Sequence, residues 1–355
     1  MFESAEEMAG MFAGDIEGDI YSRYANPSTE DFIQKMCLLE NAEDGFATAS
    51  GMAAVWCSLA ALLKSGDHVL ASRALFGSTH QILSTILPSF GITFSYVDGI
   101  DVDSWQEKLK ANTKMVLLET PSNPALQIID IEKVAQFCTA NDLILNVDNC
   151  FSTPILQNPI DLGAHVVTHS ATKYIDGQGR VLGGVIVGNE ELIEKVKFFC
   201  RHTGPAMSPF NAWLLSKSIE TLPLRMERHC DNALALATYL QGLPEVEEVI
   251  YPHLSAHPQY ELAKKQMRKG GGIVAFKVKG GIDKGRNFLN SIKMSSLSAN
   301  LGDSRTIVTH PASTTHSKLS EEERLAVGIT DGLIRISAGL EHIDDITADI
   351  CQALG

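Results

Sequence analysis

The strongest constraint on this chain is an alternation. Short apolar runs, many of them β-branched, recur at residues 45–48, 69–71, 92–97, 115–119, 143–147, 166–168 and 185–187. Most are separated by stretches with helical spacing, as at residues 130–141, where Val134, Phe137 and Cys138 mark one face. Strands alternating with helices predict an α/β architecture with a mostly parallel sheet. The segment before residue 26 reads as a loop, a helix is expected over 30–41, and Ala49-Ser50-Gly51-Met52 opens an apolar helix reaching Lys64. Residues 211–241 predict a long helical connection, interrupted at Leu222-Pro223. Beyond it, strands at 272–278, 307–308 and 333–337 and helices at 284–291 and 344–353 predict a smaller second α/β domain. The boundary is expected near residue 225, which gives a large domain over 26–225 and a small one over 226–355.

Composition narrows the class. The chain has 355 residues, 45% hydrophobic and 20% charged, enough to bury a substantial core. A formal net charge of −14 argues against non-specific binding to nucleic acid or an anionic membrane. The longest apolar run, 53–63, is too short to span a bilayer, and the acidic start has no signal-peptide pattern. Seven cysteines, an odd number without a Cys-x-x-Cys pair, read as reduced residues of a cytoplasmic protein.

Chemistry concentrates around His169-Ser170-Ala171-Thr172-Lys173-Tyr174, which follows the β-branched run 166–168. Two hydroxyls and an amine at one strand-to-loop junction suit an anionic, carbonyl-bearing ligand: Ser170 and Thr172 for a phosphate, Lys173 for the carbonyl. An exposed lysine in a polar turn is the plainer alternative. Ser50-Gly51-Met52 lies between a strand and a helix, where free N–H groups favour an anion, although a simple N-cap serine fits equally. Asp148 closes the run 143–147 and so belongs at the carboxyl edge of the sheet, where open α/β sheets hold ligands. A carboxylate there can hold a protonated pyridine nitrogen, or merely start a turn. Gly177, Gly179 and Gly183 have the wrong spacing for a dinucleotide fingerprint. His165 and His169 lack a third partner for zinc and read as core or loop residues.

Five motifs together carry a family resemblance: Ser50-Gly51-Met52-Ala53, Glu119-Thr120-Pro121-Ser122-Asn123-Pro124, Val147-Asp148-Asn149, Ser170-Ala171-Thr172-Lys173-Tyr174 and Leu333-Ile334-Arg335-Ile336-Ser337. In this order they resemble the pyridoxal-phosphate (PLP) enzymes of Cys/Met metabolism. The resemblance implies PLP-dependent transferase fold type I, the aspartate-aminotransferase-like fold, in a homodimer with shared sites, usually assembled as a homotetramer. It implies that Lys173 carries the cofactor, Asp148 faces the pyridine nitrogen, and Gly51, Met52, Ser170 and Thr172 cup the phosphate. Tyr21 and Arg23 match residues that reach the phosphate from a neighbouring subunit, which makes residues 1–25 the remnant of an inter-subunit arm. Asn123 and Arg335 match the residues that receive the substrate carboxylate.

The departures point within the family. Phe76 stands where most members have tyrosine, so it can stack on the pyridine ring but offers no phenol. Ile175-Asp176-Gly177-Gln178-Gly179-Arg180 and Asn300-Leu301-Gly302-Asp303 also differ from the common motifs, and Asn300 joins the expected substrate site. The combination is similar to the O-succinylhomoserine sulfhydrylase branch. That branch implies γ-replacement on an acylated homoserine with sulfide, giving homocysteine in methionine biosynthesis. Cystathionine synthesis or a methionine or cystathionine γ-lyase activity is the alternative within the family. The first residues fall where relatives are already a few tens of residues along. A PLP-binding protein with little catalysis is therefore the alternative from another class.

Overall fold

The computed structural model describes residues 2–16, 18–315, 317, 320–325 and 328–355. Seven strands form the larger sheet: β1 (Asp44–Thr48), β2 (His68–Ser72), β3 (Thr93–Val97), β4 (Thr113–Glu119), β5 (Ile144–Asp148), β6 (Val166–Ser170) and β7 (Gly184–Gly188). Their order is β1-β7-β6-β5-β4-β2-β3. The ladders joining β6, β5, β4, β2 and β3 are parallel, as the strand–helix alternation implies. The central strands are buried on both faces, with Val116, Leu117, Val147 and Val167 all at or near zero exposure.

The sheet is mostly parallel as expected, with two antiparallel ladders: β7 runs antiparallel to both β6 and β1. The 171–183 connection contains no crossover helix, so the chain turns back beside β6, and only an antiparallel partner can be reached that way. The opening segment, read as a loop, contains the helix Ala5–Ala13. Ser4 caps it by accepting from the Glu7 N–H, and Gly14 closes it in the left-handed region (φ 84°). None of its residues is buried, so the apolar pattern gave no sign of it.

The helical connection is two helices, Pro209–Ile219 and Leu222–Leu240, with the break at Glu220-Thr221 and a proline in the first turn of each. Residue 225 lies inside the second of these. There the buried Arg225 guanidinium donates to the Tyr174 and Ile175 carbonyls, tying this helix to the loop after β6. The remaining strands are β8 (Val246–Ile250), β9 (Ile273–Val278), β10 (Ser296–Leu297), β11 (Ile307–Thr309) and β12 (Leu333–Ser337). They form a second sheet in the order β10-β11-β12-β9-β8, antiparallel except for the β10–β11 pair. Helices Gly281–Ser291 and Ile343–Leu354 cover it, around a core that includes Phe276, Phe288, Ile334, Ile336 and Ile350. No helix among the described residues is long and apolar enough to cross a membrane, and all seven cysteines are free thiols.

Candidate active site

The carboxyl ends of β4, β5 and β6 stop side by side, and the β4–β5 register sets Glu119 opposite Asp148. A cavity of about 250 Å³ opens above them. It is lined by Gly51, Met52, Phe76, Asn123, Asp148, Ser170, Thr172, Lys173 and Arg335, nine residues singled out in the sequence. Arg335 arrives from β12 of the smaller sheet, so the site lies where the two sheets meet.

The helix Gly51–Ala60 points its first turn at this cavity. Ser50 caps it by accepting from the Ala53 N–H, which leaves the Gly51 and Met52 amides without intrahelical acceptors. A Cβ on Gly51 would lie 2.5 Å from the Ser170 Cβ, so only glycine lets the helix end meet the end of β6. Thr172 Oγ1 and the Gly183 backbone exchange hydrogen bonds at 3.2–3.3 Å, fastening this cup to the glycine loop. Free amides, hydroxyls and a helix N-terminus together form an anion cradle.

Asp148 Oδ1 accepts from the Cys150 N–H at 3.0 Å. Burial pushes its pKa up to about 6, so its ionised form is held at a cost that an adjoining cation would offset. Lys173 Nζ donates to Asn300 Oδ1 at 2.6 Å, and burial lowers the lysine pKa. Arg335 is 2% exposed, with Nη1 on Asn123 Oδ1 (3.0 Å) and Nη2 on the Asn300 carbonyl (3.0 Å). Its Nε has no partner, and among the described residues no carboxylate pairs with it. Burial lowers its pKa to about 10. A buried guanidinium satisfied only by neutral acceptors is prepared for an incoming carboxylate.

Tyr21 and Arg23 are not brought into this cavity. Tyr21 is 58% exposed, and the Arg23 guanidinium lies 4.8 Å from the Tyr24 ring centroid while donating to the Arg201 carbonyl. His165 and His169 are used within the core. His165 Nδ1 accepts from the Leu145 N–H, and His169 Nε2 meets the buried Glu40 carboxylate at 2.6 Å. Sequence reasoning missed Glu119 and Cys150 as cavity residues. Both flank residues it had singled out, and the alternation of strand side chains alone does not say which strand ends adjoin.

An anion cradle, a carboxylate at the strand edge and a lysine with lowered pKa fit PLP: its phosphate, pyridinium and aldehyde would each meet a complementary group. Fold and site thus define a PLP-dependent enzyme of the aspartate-aminotransferase-like class. The family profile described as "Cys/Met metabolism PLP-dependent enzyme" matches residues 1–355, and the chain belongs to that family. It is 47% identical, over 100% of this chain and 88% of the relative, to an O-succinylhomoserine sulfhydrylase of Pseudomonas aeruginosa. It is 43% identical, over 100% of this chain and 90% of the relative, to an L-methionine gamma-lyase of Fusobacterium nucleatum subsp. polymorphum. Among solved structures it resembles a putative O-acetylhomoserine (thiol)-lyase (metY) from Campylobacter jejuni, which holds N'-pyridoxyl-lysine-5'-monophosphate. That match has a TM-score of 0.95 and 35% identity and covers 100% of this chain and 92% of the other.

Proposed function

We propose that this enzyme carries out γ-replacement on an O-acylated homoserine, with O-succinylhomoserine the favoured donor and sulfide the nucleophile. The products are homocysteine and the free acid, as a step of methionine biosynthesis. The observation that carries this reading is the composition of the cavity wall. Phe76 supplies a ring without a hydroxyl, and no tyrosine or histidine is among the described lining residues. Lys173 is the amine to which this reading assigns the proton transfers.

Lys173 anchors PLP in this reading, Gly51, Met52, Ser170 and Thr172 hold its phosphate, Asp148 holds its pyridine nitrogen, and Phe76 stacks on the ring. PLP, when bound, acts as an electron sink for the substrate carbons. Arg335, oriented by Asn123, receives the substrate α-carboxylate and so aims Cα at Lys173. Lys173 Nζ removes the Cα proton and then serves Cβ; its lowered pKa favours the neutral amine this needs. After the γ-acyloxy group departs, Lys173 returns the protons and sulfide takes the vacated Cγ. Elimination differs in requiring a proton at Cγ instead, and among the described residues this chain's own cavity wall offers no phenol there.

The exposure of Tyr21 and its absence from the described lining of the chain's own cavity support a homo-oligomer, a tetramer by resemblance, in which Tyr21 and Arg23 of a second copy approach the phosphate. The seven free thiols support a cytoplasmic setting. The test is a donor-by-nucleophile product panel on pure PLP-loaded protein. Homocysteine from O-succinylhomoserine and sulfide is the expected main product. Dominant 2-oxobutyrate would favour a γ-lyase, dominant cystathionine from added cysteine a cystathionine synthase, and no turnover a PLP-binding protein without this chemistry.

A further inference from the structure

Glu119 lines the same cavity and has no task in the chemistry above. It ends β4, is 4% exposed, and stands opposite Asp148 in the parallel β4–β5 ladder. One carboxylate oxygen accepts from the Phe76 N–H at 2.7 Å, and the nearby Asn123 backbone amide favours the ionised carboxylate. Phe76 and Asn123 belong to different loops. Phe76 precedes the short helix Gly77–Gln81, which has no side-chain cap, and the residue is 37% exposed. Asn123, in the loop after β4, carries the amide that orients Arg335 at 3.0 Å.

We infer that Glu119 is a positioning residue, one that locks the Phe76 ring and the Asn123–Arg335 carboxylate clamp to the strand edge bearing Asp148. Without an acceptor at this point, the Phe76 N–H loses its partner, and the loop carrying it is free to seek another. The acceptor need not be charged. Burial, and then the charge of Asp148, raise the Glu119 pKa well above the usual carboxylate range, so a neutral carboxyl does the same work. Reach matters more than charge, since the oxygen must extend from the strand end to the Phe76 amide.

The inference is tested with Glu119→Gln, Glu119→Asp and Glu119→Ala in the full-length chain. The readouts are the PLP dissociation constant, the visible circular dichroism of the bound cofactor, and KM and kcat for O-succinylhomoserine. Glu119→Gln keeps the acceptor at the same reach and is expected to stay within about twofold of the wild type. Glu119→Ala and the shorter Glu119→Asp are expected to weaken PLP binding about tenfold, change the dichroic band and raise KM more than they lower kcat. If Glu119→Ala does not fold, Glu119→Asp against Glu119→Gln makes the same comparison. Wild-type PLP affinity and dichroism in a folded Glu119→Ala or Glu119→Asp protein would overturn the inference. So would Glu119→Gln failing as badly as the other two, because charge would then be the operative property. The KM readout rests on the acyl-homoserine reading, whereas PLP affinity and dichroism do not. Failure of that reading therefore leaves the test of Glu119 standing.

Discussion

Lys173 Nζ and Asn300 Oδ1 lie 2.6 Å apart, joining the loop after β6 to the loop before β11. The Asn300 carbonyl also accepts from Arg335 Nη2, so one residue touches both the amine that moves protons and the guanidinium that receives the substrate.

That contact makes Asn300→Asp informative. A carboxylate in place of the amide favours the ammonium form of Lys173 and opposes the lowering that burial produces. The base in the substrate-bound enzyme is the neutral amine. The acid limb of the kcat–pH profile is therefore expected to move to higher pH, with kcat at neutral pH falling about tenfold. An unmoved limb would mean that Asn300 does not govern this proton.

Asp148 couples the cofactor to stability. Its folded-state pKa, raised by burial to about 6 from an ordinary 3.8, means that folding without PLP favours the protonated carboxyl. This contribution is complete at low pH and is lost as pH rises through 6. The Asp148→Asn apoprotein is expected to melt above the wild-type apoprotein at pH 8, with the difference closing near pH 4. It should also retain less PLP, because the pyridinium has lost its counter-charge. Equal melting curves at pH 8 would remove the buried-charge argument.

Arg335→Ala is expected to lower kcat/KM by roughly one to two decades, mainly through KM, with PLP content unchanged. Arg335→Lys should recover only part of this, since an ammonium cannot reproduce the fork that reaches Asn123, the Asn300 carbonyl and a carboxylate together. Steady-state kinetics alongside cofactor absorbance decide it, and an unchanged kcat/KM in Arg335→Ala would remove Arg335 from the site.

Phe76→Tyr keeps the ring and adds a hydroxyl to a wall that has no phenol among its described residues. PLP binding should persist, and the ratio of 2-oxobutyrate to homocysteine at fixed sulfide should rise, because a proton donor now faces the γ-carbon. A fully PLP-loaded variant with an unchanged or lower ratio would place the control of partition elsewhere, for instance at Asn300.

Local chemistry was readable before any fold was known. Ser170, Thr172 and Lys173 sit within four positions at a strand end, Ser50 to Met52 start a helix, and Asp148 closes a β-branched run. Such features survive in one dimension because strand and helix periods and caps depend on near neighbours. Five ordered motifs then identified the family. Tertiary structure decided what distance along the chain conceals. Arg335 meets Asn123 across a separation of 212 residues, and Glu119 reaches Phe76 across 43. Apolar periodicity records that a side chain is buried, not which strand or loop it is buried against. For the same reason it did not foretell that β7 turns back antiparallel, and it was silent about the helix Ala5–Ala13, none of whose residues is buried. The carboxylate pair Glu119 and Asp148 exists only because β4 and β5 end in register, and hydrogen bonding between the strands sets that register.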